Sequence, residues 1–111
     1  ERGKIDIAQP DVTMAGGITE LRRIADLAHR LGKRVVTHGY KSNITIAANL
    51  AFLSRHWMDE PCEYSTSQSP LRWHLTRESF PIGLDGRIAV PEAPGLGVSL
   101  DPETIAKYRV A

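Results

Sequence analysis

Between Ile5 and Trp57 the chain spells out one pattern twice. A short apolar run stops at a residue that can carry charge, small turn-forming residues follow, and then apolar positions recur at helical spacing. In "DIAQPDVTMAGG" the stop is Asp11, and in "RVVTHGYKSN" it is His38. Two consecutive strand–helix units of this kind constrain the fold more than any other feature. Alternating β and α elements imply a parallel sheet with right-handed crossovers, an α/β architecture.

In the first unit, Ile5, Ile7 and Ala8 read as a strand ended by Pro10, which has no N–H to give a ladder. A loop over 12–17 closes on Gly16-Gly17. Ile18, Leu21, Ile24, Ala25, Ala28 and Leu31 then mark an amphipathic helix, with Gly32 as its left-handed stop. In the second unit, Val35-Val36 is too short and apolar to alternate, so it reads as buried on both faces. Ser42 is placed to cap a helix through Ile44, Ala47, Ala48, Ala51 and Leu53, ending near Trp57. Its Ala-rich face suggests close packing on a sheet or on a neighbouring subunit. After Asp59-Glu60-Pro61 a third strand is expected at about Cys62–Ser65.

From Gln68 the periodicity is lost. Ser69-Pro70 opens an irregular stretch, a short strand is expected at Arg87–Val90, and "PEAPGLGVSL" is rich in Pro and Gly. Asp101 is expected to cap a last helix with Pro102 at its first position. Three strands and two helices cannot close a barrel, which needs eight strands and roughly 250 residues. Two sheet edges are left open, so the segment is expected to complete a larger sheet or to associate. The start at Glu1, running straight into an apolar alternation, reads as a piece of something longer.

Composition narrows the function classes. The 111 residues carry a net charge of +1, with Lys and Arg spread along the chain, so no basic track points to nucleic acid. No apolar run reaches the roughly 18 residues of a membrane span, and no signal peptide is visible. The single cysteine, Cys62, cannot form an internal disulfide and suits a reducing, cytoplasmic compartment.

Functional groups of parallel α/β folds gather beyond the carboxyl ends of the strands, where Asp11 and His38 both fall. Adjacent strands lie about 4.8 Å apart, so an aspartate can hold the imidazole N–H, fix its tautomer and raise its basicity. The second ring nitrogen is then free to act as base or acid. Glu63, on the expected third strand, offers a further carboxyl. His29, His56 and His74 read as structural or solvated, without metal-ligand spacing to His38. Cys62 reads as a buried apolar thiol, and Gly95-Leu96-Gly97 lacks the strand-to-helix turn of a phosphate loop. A glycosidase built on Glu63 is a rival reading and needs a second carboxylate within about 5–10 Å.

Three stretches together carry a family resemblance: P-D…G-G-I-T-E, the T-H-G strand end and V-P-x-x-P-G-L-G. The chain resembles the enolase superfamily, the mandelate racemase/muconate lactonizing enzyme family, in its mandelate racemase branch. The resemblance implies the C-terminal part of a (β/α)8 TIM-like barrel, about strands 6 to 8, over residues 1–67. Residues 68–111 would be the C-terminal tail packing on barrel and capping domain. It implies catalytic roles for Asp11 and His38 as the branch's dyad, and for Glu63 as a hydrogen-bond partner of the substrate carboxylate as it becomes an enediolate. A lysine in place of Asp11 would mark the muconate branch instead. It further implies Mg²⁺, with ligands outside this segment, and a small carboxylate substrate, an acid sugar or 2-hydroxy acid. A homo-oligomer is implied for the complete protein. The activity implied first is acid-sugar dehydration, with racemisation or epimerisation of a 2-hydroxy acid second and a non-catalytic barrel scaffold third. The segment by itself is expected to be inactive.

Overall fold

The computed structural model describes residues 4–56 and 59–110. Strand β1 (Ile7–Ala8) leads to helix α1 (Gly17–Arg30), then strand β2 (Arg34–Val35) and helix α2 (Asn43–His56). Two short helices follow, α3 (Pro70–His74) and α4 (Pro102–Tyr108). β1 and β2 pair in parallel, with Ile7 opposite Arg34 and Ala8 opposite Val35. The ladder bonds recur at every second residue: Arg34 N to Asp6 O at 3.3 Å, Val36 N to Ala8 O at 3.0 Å, His38 N to Pro10 O at 3.0 Å. The pairing therefore runs on past Pro10 in unbroken register, which brings Asp11 opposite His38 as a parallel bridge.

α1 ends as the sequence indicates. Gly32 has φ +65°, and the amides of Gly32 and Lys33 donate to His29 O (2.9 Å) and Ala28 O (2.8 Å). This is a Schellman stop, in which a glycine takes the left-handed position at no steric cost. α1 shows one face to the core, through Leu21, Ala25 and Ala28, and the rest to water. α2 is different: from Asn43 to Leu53 every side chain is buried or half-buried. Its Ala48, Phe52 and Leu53 join Val12, Leu21, Ala25, Ala28 and Val35 in one apolar cluster. Its Ile46, Ala47 and Leu50 join Phe80 in a second, with Ile88, Leu96 and Val98 of the tail against it. The Ala-rich face is thus covered by this chain's own segments. Burial on both sides explains why α2 lacks amphipathic spacing. Val35 and Val36 are both buried although neighbours on a strand point to opposite faces, as their unbroken apolar run suggests.

Three expectations need correction. Cys62–Ser65 is not a strand. The segment is held by side chains rather than by a ladder: Glu63 accepts from Gly39 N, the Tyr64 hydroxyl donates to Phe80 O at 2.7 Å, and Arg72 Nε donates to Ser65 O at 3.1 Å. Arg87–Val90 is reduced to one antiparallel bridge, Ile88 with Ile82, across a turn through Gly86. The irregular stretch after Ser69 contains α3, which opens with Pro70 at its first turn. The expected capping of α4 is present, with Asp101 Oδ2 accepting from Thr104 N at 2.8 Å. Ser42 precedes α2, its carbonyl accepting from Thr45 and Ile46. Trp57, where the sequence placed the helix end, and the His56 side chain lie outside the described residues.

Arg72 of α3 is 1 % exposed. Its guanidinium lies against the rings of Trp73 (4.2 Å) and Tyr64 (4.9 Å), and Nη1 donates to Asn43 Oδ1 at the start of α2. Asn43 in turn donates to Glu78 O at 3.1 Å. A cation held by aromatic faces and neutral acceptors thus fastens the tail to the head of α2.

Candidate functional site

The continued register sets the site. His38 Nδ1 and Asp11 Oδ2 are 2.9 Å apart. An ionised carboxylate can only accept, so Nδ1 carries the proton and donates, and the lone pair of neutral His38 lies on Nε2. Asp11 is 7 % exposed. Burial pushes its carboxyl up, but hydrogen bonds from Thr13 and His38 outweigh burial and hold it below its ordinary value of 3.8. The Thr13 donors are the amide at 2.7 Å and the hydroxyl at 2.6 Å, both to Oδ1. Asp11 is therefore ionised at neutral pH, with both oxygens occupied.

Glu63 completes the group from the segment after Pro61. Its Oε2 accepts from Gly39 N at 2.7 Å and stands 3.7 Å from His38 Nε2, too far for a direct hydrogen bond. The imidazole therefore has one carboxylate bound to its protonated nitrogen and a second facing its free one. Tyr40 meets the imidazole edge-on, with ring centroids 5.1 Å apart. The ring is one-third exposed, so Nε2 is reachable from solvent while the Asp11 side is shut.

The backbone beneath is fixed by α2. Asn49 Nδ2 donates to His38 O at 3.2 Å. Gly39 lies so close to this helix that a Cβ there would stand 2.5 Å from Asn49 Nδ2 and 3.1 Å from Thr45 Cγ2. Only a glycine lets the strand end run under α2 and still present its amide to Glu63.

All three site residues expected from the sequence converge at one strand-end mouth. His29 and His74 are exposed and away from it. A cleft of about 420 Å³ lies elsewhere, between α3 and α4, and is lined by His74, Asp101, Lys107 and Tyr108 among others. Cys62 is half-buried and packs against both apolar clusters, and burial pushes its thiol up. Sequence reasoning missed Thr13, whose D-x-T spacing is the signal of a side chain closing its own turn. It also missed Gly39 and Asn49, whose roles depend on the approach of α2. Among the described residues no three His, Cys, Asp or Glu side chains converge to hold a metal ion. The arrangement can take a proton at Nε2 and give one back, with Asp11 steadying the imidazolium.

Comparison with known proteins agrees in kind. The family profile described as enolase C-terminal domain-like matches residues 1–104. The chain is 32% identical to the D-galactarolactone cycloisomerase of Agrobacterium fabrum, over 97% of this chain and 30% of that protein. It is 42% identical to the L-rhamnonate dehydratase of Saccharopolyspora erythraea, over 93% of this chain and 26% of that protein. A solved structure, described as a predicted mandelate racemase from Rhodobacter sphaeroides, superposes with a TM-score of 0.87 at 30% identity. That match covers 97% of this chain and 28% of the other. The chain thus spans under a third of the length of these relatives.

Proposed function

We propose, from the premise that this chain belongs to the enolase C-terminal domain-like family, that its mouth carries proton transfer at the carbon α to a carboxylate. The substrate class is an acid sugar and the overall reaction a dehydration. The observation that carries the reading is the 2.9 Å contact of His38 Nδ1 with Asp11, which leaves Nε2 as a free, exposed acid–base group. The names of the relatives, an L-rhamnonate dehydratase and a D-galactarolactone cycloisomerase, support the acid-sugar class.

In this reading His38 Nε2 either removes the α-proton or, as imidazolium, protonates the departing β-hydroxide so that it leaves as water. Asp11 holds the ring and offsets the charge that appears on it. Glu63 hydrogen-bonds the substrate carboxylate as negative charge develops there. Return of the proton to the opposite face would make the same residues an epimerase or racemase. The likeness to the Rhodobacter protein is what favours that second reading. A bare scaffold is disfavoured by a buried carboxylate that holds Nδ1 of the imidazole and leaves its Nε2 unbonded at the mouth.

Superfamily members generally use Mg²⁺. The described residues supply no ligand cluster for it, and no step above runs through the ion. Residues 1–67 are assigned to about strands 6 to 8 of a (β/α)8 barrel and 68–111 to the tail that returns to a capping domain. Full activity is assigned to a longer chain of which this is a segment, on the ground that it spans under a third of its relatives. A homo-oligomer and a cytoplasmic location complete the proposal.

The test is exchange of the α-proton in D₂O, followed by NMR, for the full-length protein offered a panel of acid sugars. Exchange or elimination that disappears in His38→Asn supports the reading. A panel that gives neither reaction overturns it.

A further inference from the structure

Asp11 does not stand alone behind His38. Lys41 Nζ lies 3.0 Å from Thr13 Oγ1, Thr13 Oγ1 lies 2.6 Å from Asp11 Oδ1, and Asp11 Oδ2 lies 2.9 Å from His38 Nδ1. Four side chains from two loops thus form one unbroken file. Its polarity is fixed by the end members. An ammonium has three donors and no acceptor, whereas a carboxylate only accepts. The Thr13 hydroxyl must therefore accept from Lys41 and turn its own proton toward Asp11. We propose that Lys41, acting through the Thr13 hydroxyl, is a positioning residue that sets the basicity of His38. The inference rests on the reading of His38 as the acid–base group.

The direction of the effect follows from charge. A hydroxyl locked as donor, with a cation behind it, draws negative charge on Asp11 toward Oδ1. Less remains at Oδ2 for the imidazole, so the imidazolium is held less firmly. The depressed carboxyl of Asp11, with Thr13 among its causes, agrees in sign. Other groups also face the ring: Glu63 Oε2 stands 3.7 Å from Nε2, and Tyr40 lies edge-on with ring centroids 5.1 Å apart. On its Oδ1 side Asp11 accepts from the Thr13 amide and from the Thr13 hydroxyl that ends the Lys41 file. Lys41 and Thr13 are both exposed, so altering either leaves the core untouched.

The same cation could act on His38 directly through solvent, and a double-mutant cycle separates the two routes. The His38 imidazole is titrated by NMR in the full-length protein, its signal assigned by loss in His38→Asn. Lys41→Met is expected to raise the His38 pKa by about half a pH unit, less than the roughly 1–3 units of an adjacent charge because Lys41 acts through a hydroxyl and a carboxylate. In a Thr13→Val background Lys41→Met is expected to change it by less than about a third of that, while Thr13→Ser keeps the full response. An equal rise with and without the hydroxyl overturns the relay, as does no rise in either. The titration needs no substrate, so the relay can fail while His38 still turns over acid sugars, or hold while it does not.

Discussion

The β1–β2 ladder carries a hydrogen-bonded ion pair at each end, and the two are built differently. Where β2 begins, Arg34 and Glu60 make a bidentate pair at 3.0 and 2.6 Å. The contact is short, yet the Arg34 side chain is more than half exposed. Where β2 runs out, Asp11 and His38 are 2.9 Å apart with Asp11 shut from water. Each shifts the ionisation of an acid downward: Glu60 chiefly through the Arg34 hydrogen bond, Asp11 against its own burial. Geometry alone would rank them alike. What separates them is that water reaches the Arg34 side of the first pair, while the carboxylate of the second is shielded and a ring nitrogen is left unbonded. The first ties the loop before Cys62 to the sheet; the second holds an imidazole at the strand-end mouth.

The sharpest way to test this contrast is at His38. His38→Asn in the full-length protein is expected to cut α-proton exchange by roughly 10²–10⁴-fold, the usual worth of a positioned acid–base group. Asp11→Asn is expected to cost less, about tenfold to a hundredfold, because the ring remains but its tautomer and basicity are no longer held. Turnover unchanged in both would reduce the two ion pairs to the same structural kind. Gly39→Ala tests the support rather than the chemistry. With a Cβ 2.5 Å from Asn49, α2 or the strand end must move, and urea unfolding is expected to show a loss of about 1–3 kcal/mol.

Acid separates the ends more gently. Asp11 has a folded pKa below its ordinary 3.8, so its stabilising contribution is complete above the unfolded value. That contribution is lost as pH falls through the lower folded one. Thermal unfolding between about pH 5 and 2 is expected to show a shallower acid decline in Asp11→Asn than in the native chain. Glu60→Gln is expected to do least, moving the midpoint by less than about 2 °C, and by nothing once salt is high. A large loss there would mean that the exposed pair matters as much as the shielded one.

The two strand–helix units were legible because their signals are local. Pro10, Gly16-Gly17 and Gly32 punctuate the chain, and a parallel ladder carried three residues past Ala8 and Val35 must set Asp11 against His38. The same logic failed at Cys62–Ser65. An extended run becomes a strand only where a neighbour offers its edge, and this one is caught instead by Gly39, Phe80 and Arg72. Glu63 reaches the mouth nonetheless, because the Gly39 amide holds its carboxylate. α3 was hidden since five residues show no period, and the burial of Arg72 was hidden since an arginine ordinarily marks a surface. Its place depends on two aromatic rings and an asparagine 29 residues away.

α2 meets the strand units with one flank and the tail with the other, and its Asn49 grips the carbonyl of His38. Opening that helix would strip both apolar clusters together and release the imidazole in the same event. Mouth and tail are therefore one cooperative unit, in which a lesion in either is felt as a loss of the whole.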